Sequence, residues 1–302
     1  MNSTNFEKVY NEFLRSYKNE VKEQTYNSYI YNFDSHILPY FKDRDIVSLN
    51  KRDFLAWKDS IYALKFKNSF NNKLYVEFNV FLKYCMDLDL IDKNYLKELG
   101  NFKKKTEISN ADFYTIQEFK KFIKGFSKED EVYKQYFTLL FYTGLRPGEA
   151  MALRFSDLNK NVLNINKNIQ RKGKRKIETP KNQSSIRLVS LDKKTLKGIL
   201  SLKKLYKDYN DDYFIFGGAK PISPTTADRK KRLACSKTNV REITQHQFRH
   251  SHASLLINEG ISIVEISKRL GHSNTSTTLD IYSHSNLEQE KRVLRKLNFL
   301  HF

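Results

Sequence analysis

Cysteine is nearly missing from this chain. Cys85 and Cys235 are the two among 302 residues, with no C-x-x-C spacing. That excludes a disulfide scaffold and favours a reducing compartment. Glycine and proline are scarce at ten and five, while 22 Phe and 18 Tyr are present, a balance that suits a mostly helical protein with few irregular loops. No apolar run approaches the roughly 18 residues of a membrane span. Met1-Asn2-Ser3 leads directly into a charged, helix-like segment, which predicts no signal peptide. Acidic residues are also under-represented: 34 Asp and Glu stand against 54 Lys and Arg, a formal charge of +20. That excess favours a polyanionic partner, nucleic acid before a membrane surface.

The length allows two compact domains. Phe6, Val9, Tyr10, Phe13, Leu14 and Tyr17 form one helical face. Thr25 can cap a second helix, Tyr26 to Ile37, closed by Pro39. Asn50 caps a third with Phe54, Leu55, Trp57 and Ile61 inward. Ser69 or Phe70 opens a fourth with Leu74, Phe78, Phe81, Leu82 and Cys85 inward. Together they predict a small helical bundle over residues 1–100. Residues 101–112 are polar and basic without apolar periodicity, and read as a linker. From 113 to 302 a second domain follows. Helical spacing restarts at Thr115, and Tyr133 to Tyr142 reads as a core helix. Val162–Ile169, Ile177–Thr179 and Ile186–Leu191 carry strand character and predict a three-stranded meander with turns at Lys172-Gly173-Lys174 and Asn182–Ser185. Leu196–Tyr209 is a basic amphipathic helix. Another helix opens at Ser223-Pro224 and carries Arg229, Lys230, Lys231 and Arg232. Ala253–Leu270 has helical spacing broken at Gly260. The fold class expected is mainly α with a small antiparallel sheet, α+β.

The stretch Thr244–His284 holds the most unusual side chains. His246 and Arg249, three apart, share a helical face. His272 follows a Gly, and Tyr282 comes ten residues later. Arg presents a planar fork that fits two phosphate oxygens. His can donate a hydrogen bond or move a proton near neutral pH, and a Tyr hydroxyl can attack phosphorus and hold it covalently. No carboxylate cluster accompanies them. His246, His250 and His252 raise the alternative of a metal site. On a helix, however, His252 lies off the face of the other two, and no Cys or acidic ligand is near in sequence. No metal or cofactor is expected.

His246-Gln247-Phe248-Arg249-His250, Leu270-Gly271-His272 and Tyr282 resemble the motifs of tyrosine recombinases of the phage integrase type, with Phe248 where Leu is usual. Thr143-Gly144-Leu145-Arg146-Pro147-Gly148-Glu149 resembles the box carrying that family's first catalytic Arg, which Glu149 would support. The spacing Lys181, Ser185, Arg187, Val189, Leu191 is similar to its β-hairpin lysine motif. Thr25-Tyr26 with His36-Ile37-Leu38-Pro39-Tyr40-Phe41 is similar to its helical, SAM-like core-binding domain. The resemblance implies a site-specific DNA recombinase with Arg146, Lys181, His246, Arg249, His272 and Tyr282 as the catalytic set. It implies DNA contacts for which Thr25, Lys51, Lys73, Lys103, Lys104, Lys172, Lys174, Arg187, Arg229 and Lys230 are candidates. Its implied partners are a duplex recombination site, further copies of the chain (two per site, four in a synapse) and accessory DNA-bending or directionality proteins. Its implied setting is the cytoplasm of a bacterial or phage-infected cell. Two alternatives share the chemistry or the fold: a catalytically silent DNA-binding protein and a type IB topoisomerase-like enzyme. The apolar run Val293–Phe302 is expected to dock on a neighbouring protomer.

If the charge excess serves DNA, the affinity for duplex DNA should fall about 10³-fold or more between about 50 and 200 mM salt, through counterion release. A fluorescence-anisotropy titration at four salt concentrations measures the slope; a flat one would assign the charge elsewhere.

Overall fold

A computed structural model describes residues 4–102, 113–169, 177–178 and 185–271. The chain divides into two compact units, Met1–Ile108 and Ser109–Phe302.

In the first unit Asn5 caps α1 (Phe6–Glu20) by accepting from the Lys8 N–H at 3.2 Å. Of the predicted stripe, Phe6, Val9, Tyr10 and Phe13 are buried, and Leu14 and Tyr17 are half-buried against them. Helix α2 (Glu23–His36) begins earlier than expected. The Lys22 carbonyl already accepts from Thr25 and Tyr26, so Thr25 lies inside the first turn, not at the cap. Pro39 follows in the one-turn helix α3 (Leu38–Phe41). Asn50 caps α4 (Lys51–Ala63) in a reciprocal box with Asp53. Phe54, Trp57 and Ile61 face inward, but Leu55 is 48% exposed, because one residue past Phe54 the helix has rotated off its apolar face. Helix α5 (Asn68–Asp87) buries all five residues expected of it. Phe78 sits at the centre, its ring within 6.1 Å of those of Phe6, Phe33, Phe41, Phe54 and Trp57. The His36 ring packs edge-on against Phe66 and Phe70, and its carbonyl accepts from Trp57 Nε1 at 2.9 Å.

The first unit runs past residue 100. Buried Lys58 donates to the carbonyls of Leu99 (3.3 Å) and Gly100 (2.7 Å), closing the short helix α6 (Tyr95–Leu99). Phe102 is buried, and its N–H donates to Asn72 at 2.9 Å. Asn101 and Phe102 therefore belong to the bundle. The remainder of the expected linker lies outside the described residues.

In the second unit Thr115 and Glu118 form the box that opens α7 (Ile116–Ile123), followed by α8 (Glu131–Thr143). Phe119 stacks on Phe141 with ring centres 3.9 Å apart. Helix α9 (Pro147–Ala152) leads into the strands β1 (Leu158–Asn159), β2 (Val162–Ile165), β3 (Asn168–Ile169), β4 (Ile177–Glu178) and β5 (Arg187–Ser190). The expected meander is instead two pieces. β1, β2 and β5 form an antiparallel sheet with Val162 opposite Ser190 and Ile165 opposite Arg187, while β3 and β4 make a separate ribbon. The run Val162–Ile169 breaks at Asn166-Lys167, where Lys167 turns to Asp157 at 2.7 Å. The third strand thus pairs beside β2 and bypasses the ribbon.

Asp192 caps α10 (Lys193–Ser201), which continues as a 3-10 turn to Leu205 and so begins and ends before the expected Leu196–Tyr209. Then come α11 (Pro224–Thr238), α12 (Gln247–Asn258) and α13 (Ile263–Leu270). Gly260, with φ +81°, makes the expected turn between the last two. Among the described residues no helix is long and apolar enough to cross a membrane.

Phe78→Ala should cost about 3–5 kcal/mol, the range for a buried Phe emptied to a cavity, whereas exposed Leu55→Ala should stay within about 0.5 kcal/mol. Equilibrium urea unfolding of both variants checks the contrast.

Candidate active site

The site is built around the turn that ends α8. Gly144 takes a left-handed conformation, φ +67°, and its N–H bonds to the Leu140 carbonyl. A Cβ there would come within 2.4 Å of Leu270 and 2.7 Å of His252, so the turn lies directly against α12 and α13. Arg146 is the residue before α9, in extended conformation, and Pro147 occupies the first helical position, where a missing N–H costs nothing. One turn on, Glu149 reaches back. Its Oε2 accepts the Arg146 backbone N–H at 2.9 Å and its Oε1 accepts Arg146 Nη1 at 2.8 Å. Arg146 Nη2 also donates to the Gly271 carbonyl at 3.1 Å, yet its side chain stays one-third exposed.

Glu149 itself is 2% exposed. Burial alone would raise its carboxyl, but hydrogen bonds and charge from Arg187, then Arg146, outweigh that and hold it below the usual carboxylate range. The Arg187 contact is bidentate, Nη1 to Oε1 at 3.1 Å and Nη2 to Oε2 at 2.9 Å. Arg187 was expected among the residues touching DNA. Its side chain is instead 7% exposed and committed to Glu149, because β5 points it into the unit.

Arg249 arrives from α12 and is buried, with Nη1 donating to the Gly144 carbonyl at 2.9 Å. Its Nη2 has no hydrogen-bond partner among the described residues. Burial, then the neighbouring charge of Arg146, pulls its pKa down to about 9. A cation destabilised in this way gains from an anion placed beside it. His246 stands at the head of α12, its ring 5.5 Å from that of His250. Gln245, just before it, is buried and fixed by Tyr136 Oη (2.8 Å) and Asp228 (2.9 Å), which anchors the entry to α12.

His252 serves the framework. Its Nδ1 lies 2.9 Å from the Phe141 carbonyl, and Arg269 Nε donates to its Nε2 at 3.2 Å. A proton on Nδ1 satisfies both contacts. Burial first, and the Arg269 charge second, lower its pKa to about 3, so the ring stays neutral. Arg269 Nη2 also donates to the Ser190 carbonyl at 3.2 Å, joining α13 to β5. Sequence reasoning missed Arg269, Gln245 and this part of His252. Each acts through a partner at least 17 residues away, which no local periodicity reveals. Among the described residues no three His, Cys, Asp or Glu converge as metal ligands.

Of the six expected catalytic residues, Arg146, His246 and Arg249 are described, and Arg146 and Arg249 meet at the Gly144 turn. Lys181, His272 and Tyr282 lie outside the described residues, as do Lys103, Lys104, Lys172 and Lys174. Among the other candidates for DNA contact, Thr25 and Arg229 are exposed. Lys51 lies 3.6 Å from Glu98, and Lys73 bonds to Ser28 and lies 3.6 Å from Glu77. Lys230 is held in an ion pair with Asp130, so its charge is already partly neutralised within the protein.

Glu149→Gln should destabilise the protein by about 3 kcal/mol, because it leaves buried guanidinium groups without their counter-charge. A carboxyl held below its ordinary value of 4.5 contributes stability above that pH and loses it as pH falls through the depressed value. The wild type should therefore weaken on acidification more steeply than the Gln variant; urea midpoints measured from pH 7 down to pH ~3 test the sign.

Residues 112–289 match the Phage integrase family, and residues 5–60 match the phage integrase N-terminal SAM-like domain. The ICEBs1 integrase of Bacillus subtilis is 28% identical over 99% of this chain and 84% of its own. The TnP I resolvase of Bacillus thuringiensis is 30% identical over 84% of this chain and 86% of its own. In fold, the Tn1549 transposon integrase in complex with a circular intermediate DNA superposes with a TM-score of 0.80 at 19% identity, over 98% of this chain and 100% of that one. A lambda integrase dimer bound to a core site gives 0.71 at 14% identity, over 92% and 95%. With residues 112–289 and 5–60 matched to the family's two domain models and the motif residues Arg146, Glu149 and Arg249 gathered at one turn, this chain belongs to the phage integrase family of tyrosine recombinases.

Proposed function

We propose that this protein cuts and rejoins DNA at specific sites through a 3′-phosphotyrosine on Tyr282, in the integration and excision of a mobile element. The observation that carries the reading is the pairing of Arg146 with Arg249 at the Gly144 turn. Arg146 is oriented by Glu149 and part-exposed, and Arg249 has Nη2 without a partner among the described residues. A scissile phosphate would supply Arg249 with the anion it lacks and take up the remaining donors of Arg146.

Attack by the Tyr282 oxygen on phosphorus gives a five-coordinate transition state whose non-bridging oxygens gather negative charge. Guanidinium groups fixed in advance lower its energy without reorganising. His246 accepts the phenolic proton, and His272 adds a hydrogen bond to the phosphate. The bond from phosphorus to the 5′-oxygen breaks, and Lys181 protonates that oxygen, otherwise a poor leaving group. The phosphotyrosine retains the energy of the broken phosphodiester. A 5′-hydroxyl from another strand can therefore reverse the step, rejoining DNA without a nucleotide cofactor.

The names of the relatives support recombination over simple relaxation of DNA: they are integrases, a resolvase and tyrosine recombinases. A silent DNA-binding protein has no need of all six catalytic residues, and this chain holds them all. Lambda integrase is found as a dimer on a core site and as a tetramer on a Holliday junction, which supports two copies of this chain per site and four in a synapse. The apolar segment Val293–Phe302, outside the described residues, is the candidate link between them.

Tyr282→Phe should retain duplex binding and form no covalent protein–DNA adduct. Denaturing gels of cleavage reactions against wild type decide it; an adduct with the Phe variant removes Tyr282 from the nucleophile's role.

A further inference from the structure

Arg187 sits in the same cluster as Arg146 but cannot share its work. A guanidinium has five N–H donors, and four hydrogen bonds from Arg187 stay within the protein. Nε donates to the Arg269 carbonyl at 2.8 Å, Nη1 to the Ser185 carbonyl at 2.9 Å and to Glu149 Oε1 at 3.1 Å, and Nη2 to Glu149 Oε2 at 2.9 Å. Its side chain is 7% exposed where that of Arg146 is 33% exposed. Among the described residues the Glu149 carboxylate accepts four hydrogen bonds, two from each Arg.

We infer that Arg187 is a positioning residue for the cleavage reaction: it locks Glu149, and through it Arg146, while tying the end of α13 to β5. The inference rests on the recombinase reading above. Its physical basis is geometric. Arg146 alone gives each carboxylate oxygen one hydrogen bond, one of them from a part-exposed side chain; the buried, bidentate fork of Arg187 gives each oxygen a second and fixes the plane. With that plane fixed, Arg146 Nη1 has one place to bind, and its remaining N–H groups keep one direction. The same guanidinium grips the Arg269 carbonyl two residues before Gly271, whose own carbonyl receives Arg146 Nη2. It also grips the Ser185 carbonyl, four residues after Lys181 in sequence. One side chain thus joins the chain segments that lead to Lys181 and His272 and the box that holds Arg146. Lysine, a point charge without a planar fork, cannot span these acceptors.

The test uses the full-length chain and duplexes carrying its own site, identified by sequencing DNA trapped on the wild-type protein. One duplex has a normal scissile phosphate. In the other a methylphosphonate replaces it, so that a non-bridging oxygen is a neutral methyl and the charge Arg146 must neutralise is gone. Arg187→Lys should bind the site within about threefold of wild type, since backbone contacts elsewhere dominate affinity. It should cut the phosphate about 10- to 100-fold more slowly, the cost of a misplaced catalytic group. On the methylphosphonate the gap to wild type should close to less than about threefold, because Arg146 no longer limits the rate. Should Arg187→Lys fold poorly, Glu149→Gln combined with Arg187→Met removes both buried charges together, and the same dependence on substrate is expected of it. Equal slowing on both duplexes, or wild-type cleavage of the phosphate by either variant, overturns the inference while leaving the recombinase reading intact. A wild-type protein that traps no DNA covalently, and so yields no site, overturns both.

Discussion

A single buried carboxylate holds the catalytic unit of this protein in register. Glu149 accepts four hydrogen bonds from two arginines, and the residues it joins come from the turn before α9 and from β5. Burying one negative charge is expensive unless it is paired and hydrogen-bonded. Here both conditions are met, and the expense becomes a constraint: losing either arginine side chain would strip hydrogen bonds from a carboxylate that water scarcely reaches. The backbone follows the same logic. Arg146 and Arg187 each donate to a carbonyl at the end of α13, Gly271 and Arg269 respectively, so the segment entering His272 is tied to the same carboxylate.

The cluster is left cationic. One carboxylate faces Arg146 and Arg187, and Arg249 adds a third guanidinium whose charge burial disfavours. For stability alone this arrangement is poor, since like charges in a region of low dielectric repel. For the phosphate binding proposed above it is favourable, because charges fixed in advance do not have to turn when negative charge develops. The neutral His252 fits this view. It braces α12 against α8 and Arg269 without adding another charge.

The first unit is organised by shape more than by charge. Its core is a cluster of aromatic rings set edge-on or tilted around Phe78, and buried Lys58 caps the carbonyls at the end of α6. Phe102 extends that core past the point where sequence periodicity fades. A lone aromatic residue in a polar, basic run carries no period, so its burial could not be read in advance.

Most of the helices, their apolar faces and the turn at Gly260 were legible in the sequence, because they depend on contacts within one or two turns of chain: Asn50 with Asp53, Thr115 with Glu118, Arg146 with Glu149. Tertiary structure alone decided the rest. The strand run Val162–Ile169 splits because Lys167 finds Asp157, and β5 passes the ribbon to pair with β2. Arg187 was expected to touch DNA, and its place in the motif that follows Lys181 gave no sign of a buried counter-charge. What it does follows from a carboxylate 38 residues earlier and a carbonyl 82 residues later. Local pattern encodes which residues can form an element and which face it buries. Which buried charge meets which counter-charge is set by the packing of elements distant in sequence, where desolvation makes pairing obligatory.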